Sequence, residues 1–273
     1  MREYRIGEFA NYLGVTPDLL KYYEEQGLLR PSRSESGYRY YPFNQSVLLM
    51  ECIRLRNYGL TLREVRDILT DHALTDAQVE QRLDGKLRQA RLQRRFQELL
   101  EQEHRGFLDW RESLAGRETD WEIRTCKAMC FLPHTDGYDF LKDERIYQLL
   151  KGWMNAIPLV KSAMRIDADG RFVWGLLAEK RVVELMELPV NSVVEQLPPR
   201  RMFYFKFRDK VLQSALERPD NPAHPAFRTL RALNLNGDGA YYRATLMPAD
   251  WQREIAYQYG YYAIPLGGVS FDR

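Results

Sequence analysis

Lys21, Tyr22 and Tyr23 stand together in one short segment, with Thr16 before them and Arg33, Tyr38, Arg39, Tyr40 and Arg63 after. Lysine and arginine offer donors to phosphate oxygens, and tyrosine adds a flat ring with a hydroxyl. The pattern suits a nucleic-acid backbone, with base contact expected from Lys21 and its neighbours. A second group lies far downstream: Trp153, Trp174, Tyr204, Tyr259 and Tyr261, with Glu179 as a carboxylate among them. Rings of this kind suit a flat, apolar small molecule, and they can also hold a cation over their faces. The sequence shows no phosphate-cradling glycine loop, no serine nucleophile elbow and no HExxH pair, so no catalytic residue and no cofactor are expected.

The elements that must position the first group read clearly. Ile6, Phe9, Ala10 and Leu13 share one face of a helix. Gly14 marks a turn, Thr16 is an N-cap, and Pro17 fits the first helical position, where no N–H is needed. Gly27 ends this second helix in the left-handed region. Two short helices joined by a glycine turn predict a helix-turn-helix, whose second helix suits the DNA major groove. Residues 33–41 follow as a hairpin turning at Ser36-Gly37, which makes the unit winged. A third helix is expected over residues 43–58. Thr61 and Glu64 form a capping box that opens a fourth helix through Leu69.

Composition sets limits. The chain has 273 residues and a net charge of +2, and residues 1–70 carry ten Lys/Arg against nine Asp/Glu. A DNA-binding surface here must rest on placement, not on bulk charge. No run is long and apolar enough to span a membrane. The N-terminus carries an acid and leads straight into a helix, which is not the pattern of a signal peptide. Three cysteines, an odd count, suggest a reducing cytoplasm rather than a disulfide framework. Cys126 and Cys130 fall four apart in an expected strand, too far apart for one metal ion, and His72, His104, His134 and His224 are scattered, so no metal site is expected.

Residues 75–112 read as one amphipathic helix, on the order of 55 Å long. Val79, Leu83, Leu87 and Ala90 form an apolar seam, continued after a register shift by Leu92, Phe96 and Leu99. Such a stripe needs a partner. It can lie on the chain's own C-terminal part or pair with a second subunit. From residue 121 the pattern changes to strands at 122–132, 162–167, 171–178, 201–207, 240–247 and 255–265, with helices at about 143–156 and 222–233. Strand, helix and two strands thus occur twice. Tyr257, Tyr259 and Tyr261 share one strand face, as do Phe203, Phe205 and Phe207.

Tyr4-Arg5-Ile6-Gly7-Glu8-Phe9-Ala10, Gly14-Val15-Thr16, Tyr22-Tyr23-Glu24, Gly27-Leu28-Leu29, Gly37-Tyr38-Arg39-Tyr40-Tyr41 and Ile53-Arg54-Leu55-Arg56-Asn57-Tyr58-Gly59-Leu60-Thr61-Leu62-Arg63-Glu64-Val65, in this order, resemble the DNA-binding domain of MerR-type transcription regulators. Leu19 and Lys21 depart from that pattern, where a small hydroxyl residue and an arginine are usual. The element order after residue 121, Val173-Trp174-Gly175-Leu176 and Tyr261-Tyr262-Ala263-Ile264-Pro265-Leu266 resemble the GyrI-like effector-binding domain. The resemblance implies an α+β chain in three parts: a winged helix-turn-helix over residues 1–71, a coiled-coil dimerisation helix over 75–116, and a GyrI-like antiparallel α+β domain over 121–273. It also implies a homodimer, promoter DNA and RNA polymerase as partners, a drug-like effector, and activation by distorting an overlong promoter spacer. Tyr261 stands where relatives that bind lipophilic cations carry a glutamate. Two competing readings are a small-molecule hydrolase built on the GyrI-like domain, which needs an acid or base such as Glu179, and a ligand-free architectural DNA binder.

Overall fold

A computed structural model describes residues 2–210 apart from 72 and 115, and residues 224–249 and 257–267. His72 and the expected element starts at residues 222–223 and 255–256 lie outside the described residues. The chain divides into two compact units, residues 1–93 and 94–273, and the boundary falls within a single long helix.

In the first unit, β1 (Glu3–Arg5) leads into α1 (Ile6–Leu13) and α2 (Pro17–Glu25). The Thr16 hydroxyl accepts the Leu19 N–H at 3.2 Å, which caps α2 as its residue type demands. Gly27 takes φ +73°, open to glycine at no steric cost, and turns the chain out of the helix. The wing is β2 (Ser32–Arg33) and β3 (Arg39–Pro42), and β1 joins it to give a three-stranded sheet in the order β1-β3-β2. Then come α3 (Asn44–Asn57) and α4 (Leu62–Leu69), the latter opened by the Thr61–Glu64 capping box. Phe9 stacks on Tyr41 at 5.0 Å, and Leu20, Tyr23, Leu28, Leu49, Cys52, Leu60 and Val65 close the core around them.

The long helix α5 (Asp76–Ser113) opens in this unit, where Leu83 packs against the core. Its part from residue 94 onward belongs to the second unit and finds a partner within the same chain. Phe107 is 8% exposed and lies edge-on to Tyr259 at 5.5 Å, and Glu103 pairs with Lys161 at 2.9 Å. The apolar stripe is therefore not wholly free for a second subunit. Leu87 and Ala90 remain exposed.

The second unit is built on eight antiparallel strands in the order β10-β5-β9-β8-β12-β13-β11-β4. These are β4 (Thr119–Thr125), β5 (Met129–Pro133), β8 (Lys161–Ile166), β9 (Phe172–Glu179), β10 (Glu195–Leu197), β11 (Arg201–Lys210), β12 (Tyr241–Ala249) and β13 (Tyr257–Pro265). A small hairpin, β6 (Thr135–Asp136) and β7 (Asp139–Phe140), and the helices α6 (Glu144–Met154), α7 (Lys180–Leu185) and α8 (Pro225–Ala232) complete it. The expected repeat is present as β5-α6-β8-β9 and β11-α8-β12-β13, with β8 and β12 side by side at the centre of the sheet. Both helices cover one face. Trp153 of α6 packs among Cys130, Leu132, Leu176 and Ala178, and Leu230 of α8 among Phe203, Phe205, Phe207 and Tyr262.

The single strand expected over residues 122–132 is instead two strands. β4 lies at one edge of the sheet and β5 next to the other edge, yet only residues 126–128 join them. A link of that length reaches on the order of 14 Å. The sheet must therefore curl until its edges approach each other; the Cys126 N–H, donated to the Arg200 carbonyl at 2.8 Å, extends the β4–β11 ladder to the point where the link begins. Residues 126–128 carry no turn signal that would have announced the break.

Candidate functional site

The surface of α2 and the wing is organised around Glu24. Its carboxylate accepts from Arg33 Nη2 at 2.6 Å and from Arg39 Nε at 2.6 Å, so one acid on α2 holds both arginines of the wing. Burial works against the Glu24 charge, but the two arginines outweigh it and hold the carboxyl below the usual carboxylate range. Glu24 was not singled out from the sequence, where a charged residue on a helix reads as a solvated face. Lys21 lies on the exposed side of α2 and pairs with Asp18 at 3.0 Å, a loose i,i+3 contact that leaves it available to an anion. Tyr22 is 48% exposed beside it. Tyr23 is a correction: at 5% exposed it belongs to the core, because the next position on a helix turns about a hundred degrees away from its neighbour. Tyr38 is exposed at the wing turn, with the Arg5 guanidinium 5.8 Å from its ring centre. Tyr40 is half-buried on β3, opposite Arg5 of β1. Arg63 is exposed in the first turn of α4, where helix N–H groups also point outward.

Of the residues read from the sequence as ligand-binding, the sheet brings four onto one face and two onto the other. The face opposite α6 and α8, here called the inner face, carries Tyr204, Tyr259, Tyr261 and Glu179. Tyr204 and Tyr261 stand 5.6 Å apart, and Glu179 holds Lys127 at 2.9 Å. Trp153 and Trp174 are corrections. Trp153 is fully buried between α6, which carries it, and the sheet, with its indole N–H given to the Pro189 carbonyl at 2.9 Å. Trp174 shares strand parity with Leu176 and Ala178, which pack on α6, so it also points away from Tyr261. The aligned Phe203, Phe205 and Phe207 are core against α8.

Tyr242 also lies on the inner face, and sequence reasoning missed four further residues there: Phe131, Lys206, Arg124 and Glu122. Strand alternation points to several of them once the register is known, for Tyr204 lies opposite Glu122 on β4 and opposite Ala263 on β13, and Ala263 lies opposite Tyr242. Small residues Ala163, Ala244, Ala263 and Gly175 run between the rings. A Cβ on Gly175 would come within 2.4 Å of the Phe131 ring, so only glycine lets that ring lie flat on the sheet. The second part of α5 crosses this face. Trp110 lies edge-on to Tyr259 at 5.5 Å, and the Lys206 ammonium donates to the Ser113 hydroxyl at 3.5 Å. The gap left under the helix is a cavity of about 60 Å³ lined by Leu100, Glu103, His104, Phe107, Pro158 and Leu246. Among the described residues no group of three His, Cys, Asp or Glu side chains is placed to hold a metal ion, and no helix is long and apolar enough to cross a membrane.

Residues 4–71 match the family model described as MerR HTH family regulatory protein. An uncharacterised HTH-type transcriptional regulator of Pseudomonas aeruginosa is 47% identical over 66 residues, which is 24% of this chain and 50% of that protein. The HTH-type transcriptional regulator CueR of Bacillus subtilis is 36% identical over 77 residues, 28% of this chain and 54% of that protein. The chain thus spans about half the length of these curated relatives. Among solved structures, an EcmrR–DNA complex seen by cryo-EM covers 97% of this chain and all of its own, at 14% identity and a TM-score of 0.40.

Proposed function

From the premise that residues 4–71 are a MerR-type helix-turn-helix domain, we propose that the chain is a ligand-responsive transcription regulator of the cytoplasm. It acts as a homodimer, and each winged unit reads one half-site of a promoter. Lys21 addresses base edges from α2, with Thr16 and Tyr22 beside it. Arg33, Tyr38, Arg39, Tyr40 and Arg63 hold phosphates on either side. Residues 1–71, 75–116 and 121–273 act as reader, connector and sensor. A small aromatic or drug-like molecule on the inner face alters the α5 packing there, and the dimer then bends and untwists an overlong promoter spacer for RNA polymerase. Specificity rests partly on how readily that spacer deforms.

The observation that carries this reading is the juxtaposition of an exposed Lys21 on a capped helix with two wing arginines locked to the same helix by Glu24. The hydrolase reading rested on Glu179 as its acid or base, and that carboxylate pairs with Lys127 at 2.9 Å. Transcription from promoters of graded spacer length tests the proposal. With the overlong spacer, the protein should activate only with ligand. With a shortened spacer, transcription should proceed unaided and the protein should repress. Equal response at every spacer length would refute the distortion mechanism.

A further inference from the structure

The inner face of the sheet is rich in ionised groups, yet among the described residues its carboxylates already have basic partners. Glu122 faces Lys206 at 3.3 Å and Arg124 at 3.6 Å, Glu103 faces Lys161 at 2.9 Å, and Glu179 faces Lys127 at 2.9 Å. Arg165 takes both Glu195 and Asp167. Ring faces are occupied too. The Arg124 guanidinium lies 4.3 Å from the Tyr204 ring centre, and that of Arg165 lies 5.9 Å from the Phe131 ring centre. A cation arriving here meets no unpaired acid and finds these aromatic faces already holding the protein's own cations. Leaving water without such compensation is costly for any ion. An anion meets cations that are already engaged by these carboxylates, with Glu122 shared between Lys206 and Arg124.

The phenols are different. Among the described residues the hydroxyls of Tyr204, Tyr242 and Tyr261 have no hydrogen-bond partner, and the three rings lie on one face around Ala263 and Ala244. Burial pushes the Tyr204 and Tyr242 phenols up to about 12 and raises Tyr261 as well. All three therefore stay protonated as donors through the physiological range.

We infer that this face takes an uncharged aromatic molecule bearing a hydrogen-bond acceptor, and that Tyr261, opposite Lys206 in the sheet, sets the preference. This rests on the reading of the inner face as the sensor site. Apolar rings gain by burial against the alanine floor, and the acceptor receives a phenol O–H.

Three probes with the same three phenyl rings test it on the full chain by titration calorimetry: triphenylphosphine oxide, methyltriphenylphosphonium and triphenylacetate. The oxide should bind, and both ions should bind weaker by about tenfold or more. Tyr261→Phe removes one donor and should weaken the oxide by roughly tenfold. Tyr261→Glu should instead favour the phosphonium. If the phosphonium binds wild type as tightly as the oxide, and Tyr204→Ala abolishes that binding, the charge preference is overturned while the site stands. Unchanged oxide affinity in Tyr261→Phe removes Tyr261 from its role. No binding of any probe to wild type overturns both the preference and the site.

Discussion

Glu24 accepts from Arg33 and Arg39 together, so the charge of the wing is fixed by a residue that itself repels DNA. Arg39 can then act on DNA directly, through a phosphate, or indirectly, by holding the wing against α2. Arg39→Ala should weaken binding to every sequence and flatten the salt dependence by about one unit if the contact is direct. Glu24→Gln separates the two cases in the same titration: a mainly positional role predicts that it reproduces the Arg39→Ala loss of affinity without the change in slope. Glu24 also predicts a pH effect of definite sign. Its folded value is depressed, so its stabilisation is complete above the unfolded value of about 4.3 and fades as pH falls through the folded value. Urea melts of Glu24→Gln should show a loss of about 1 kcal/mol near neutrality, discounted for partial exposure, that vanishes in acid. A loss equal at every pH would contradict the assignment. At this scale much was legible, because Thr16, Gly27 and the Thr61–Glu64 box are fixed by local backbone needs. Tyr23 was misplaced because adjacent helical residues look alike in a motif and differ only in the direction they face.

The strand alternation of Tyr259 with Tyr261, and of Phe203 with Phe205 and Phe207, was readable from the chain. Which set packs on α8 was not, since both are aromatic and either could be core. The same limit applied to Trp153, whose helix offers three faces. The packing of α5 decided the rest. It lays Phe107 and Trp110 on Tyr259, so the inner face is covered by an element whose seam left both the chain's own C-terminal part and a second subunit open as partners. Ligand pockets of ordinary size run from ~300 Å³ upward, far above the cavity of about 60 Å³ under the helix. Occupation of the face therefore requires α5 to shift. Phe107→Ala weakens that cover. It should cost about 3 kcal/mol of stability yet raise the affinity for triphenylphosphine oxide several-fold, as read by calorimetry, because less packing is given up on binding. A fall in affinity would mean that Phe107 is part of the site rather than its cover.

Two compact units share one helix, and each has a hydrophobic core of its own. The sequence announced both: the first by capped helices and a glycine turn, the second by a strand-helix-strand-strand order that recurs. The curl of the sheet was hidden, because it follows from strand order across the whole unit and not from any local signal at residues 126–128. Leu87 and Ala90 stay exposed on α5, and they are the positions from which a second subunit is expected to pair. A dimer related by two-fold symmetry must leave that symmetry in the DNA it selects. The most direct test is selection of duplex DNA by the purified full chain from a random pool, read by sequencing. An inverted repeat with two half-sites should be enriched, and lost in Lys21→Ala; a pool left unenriched, or enriched only in unpaired half-sites, would contradict a dimeric reader built on α2.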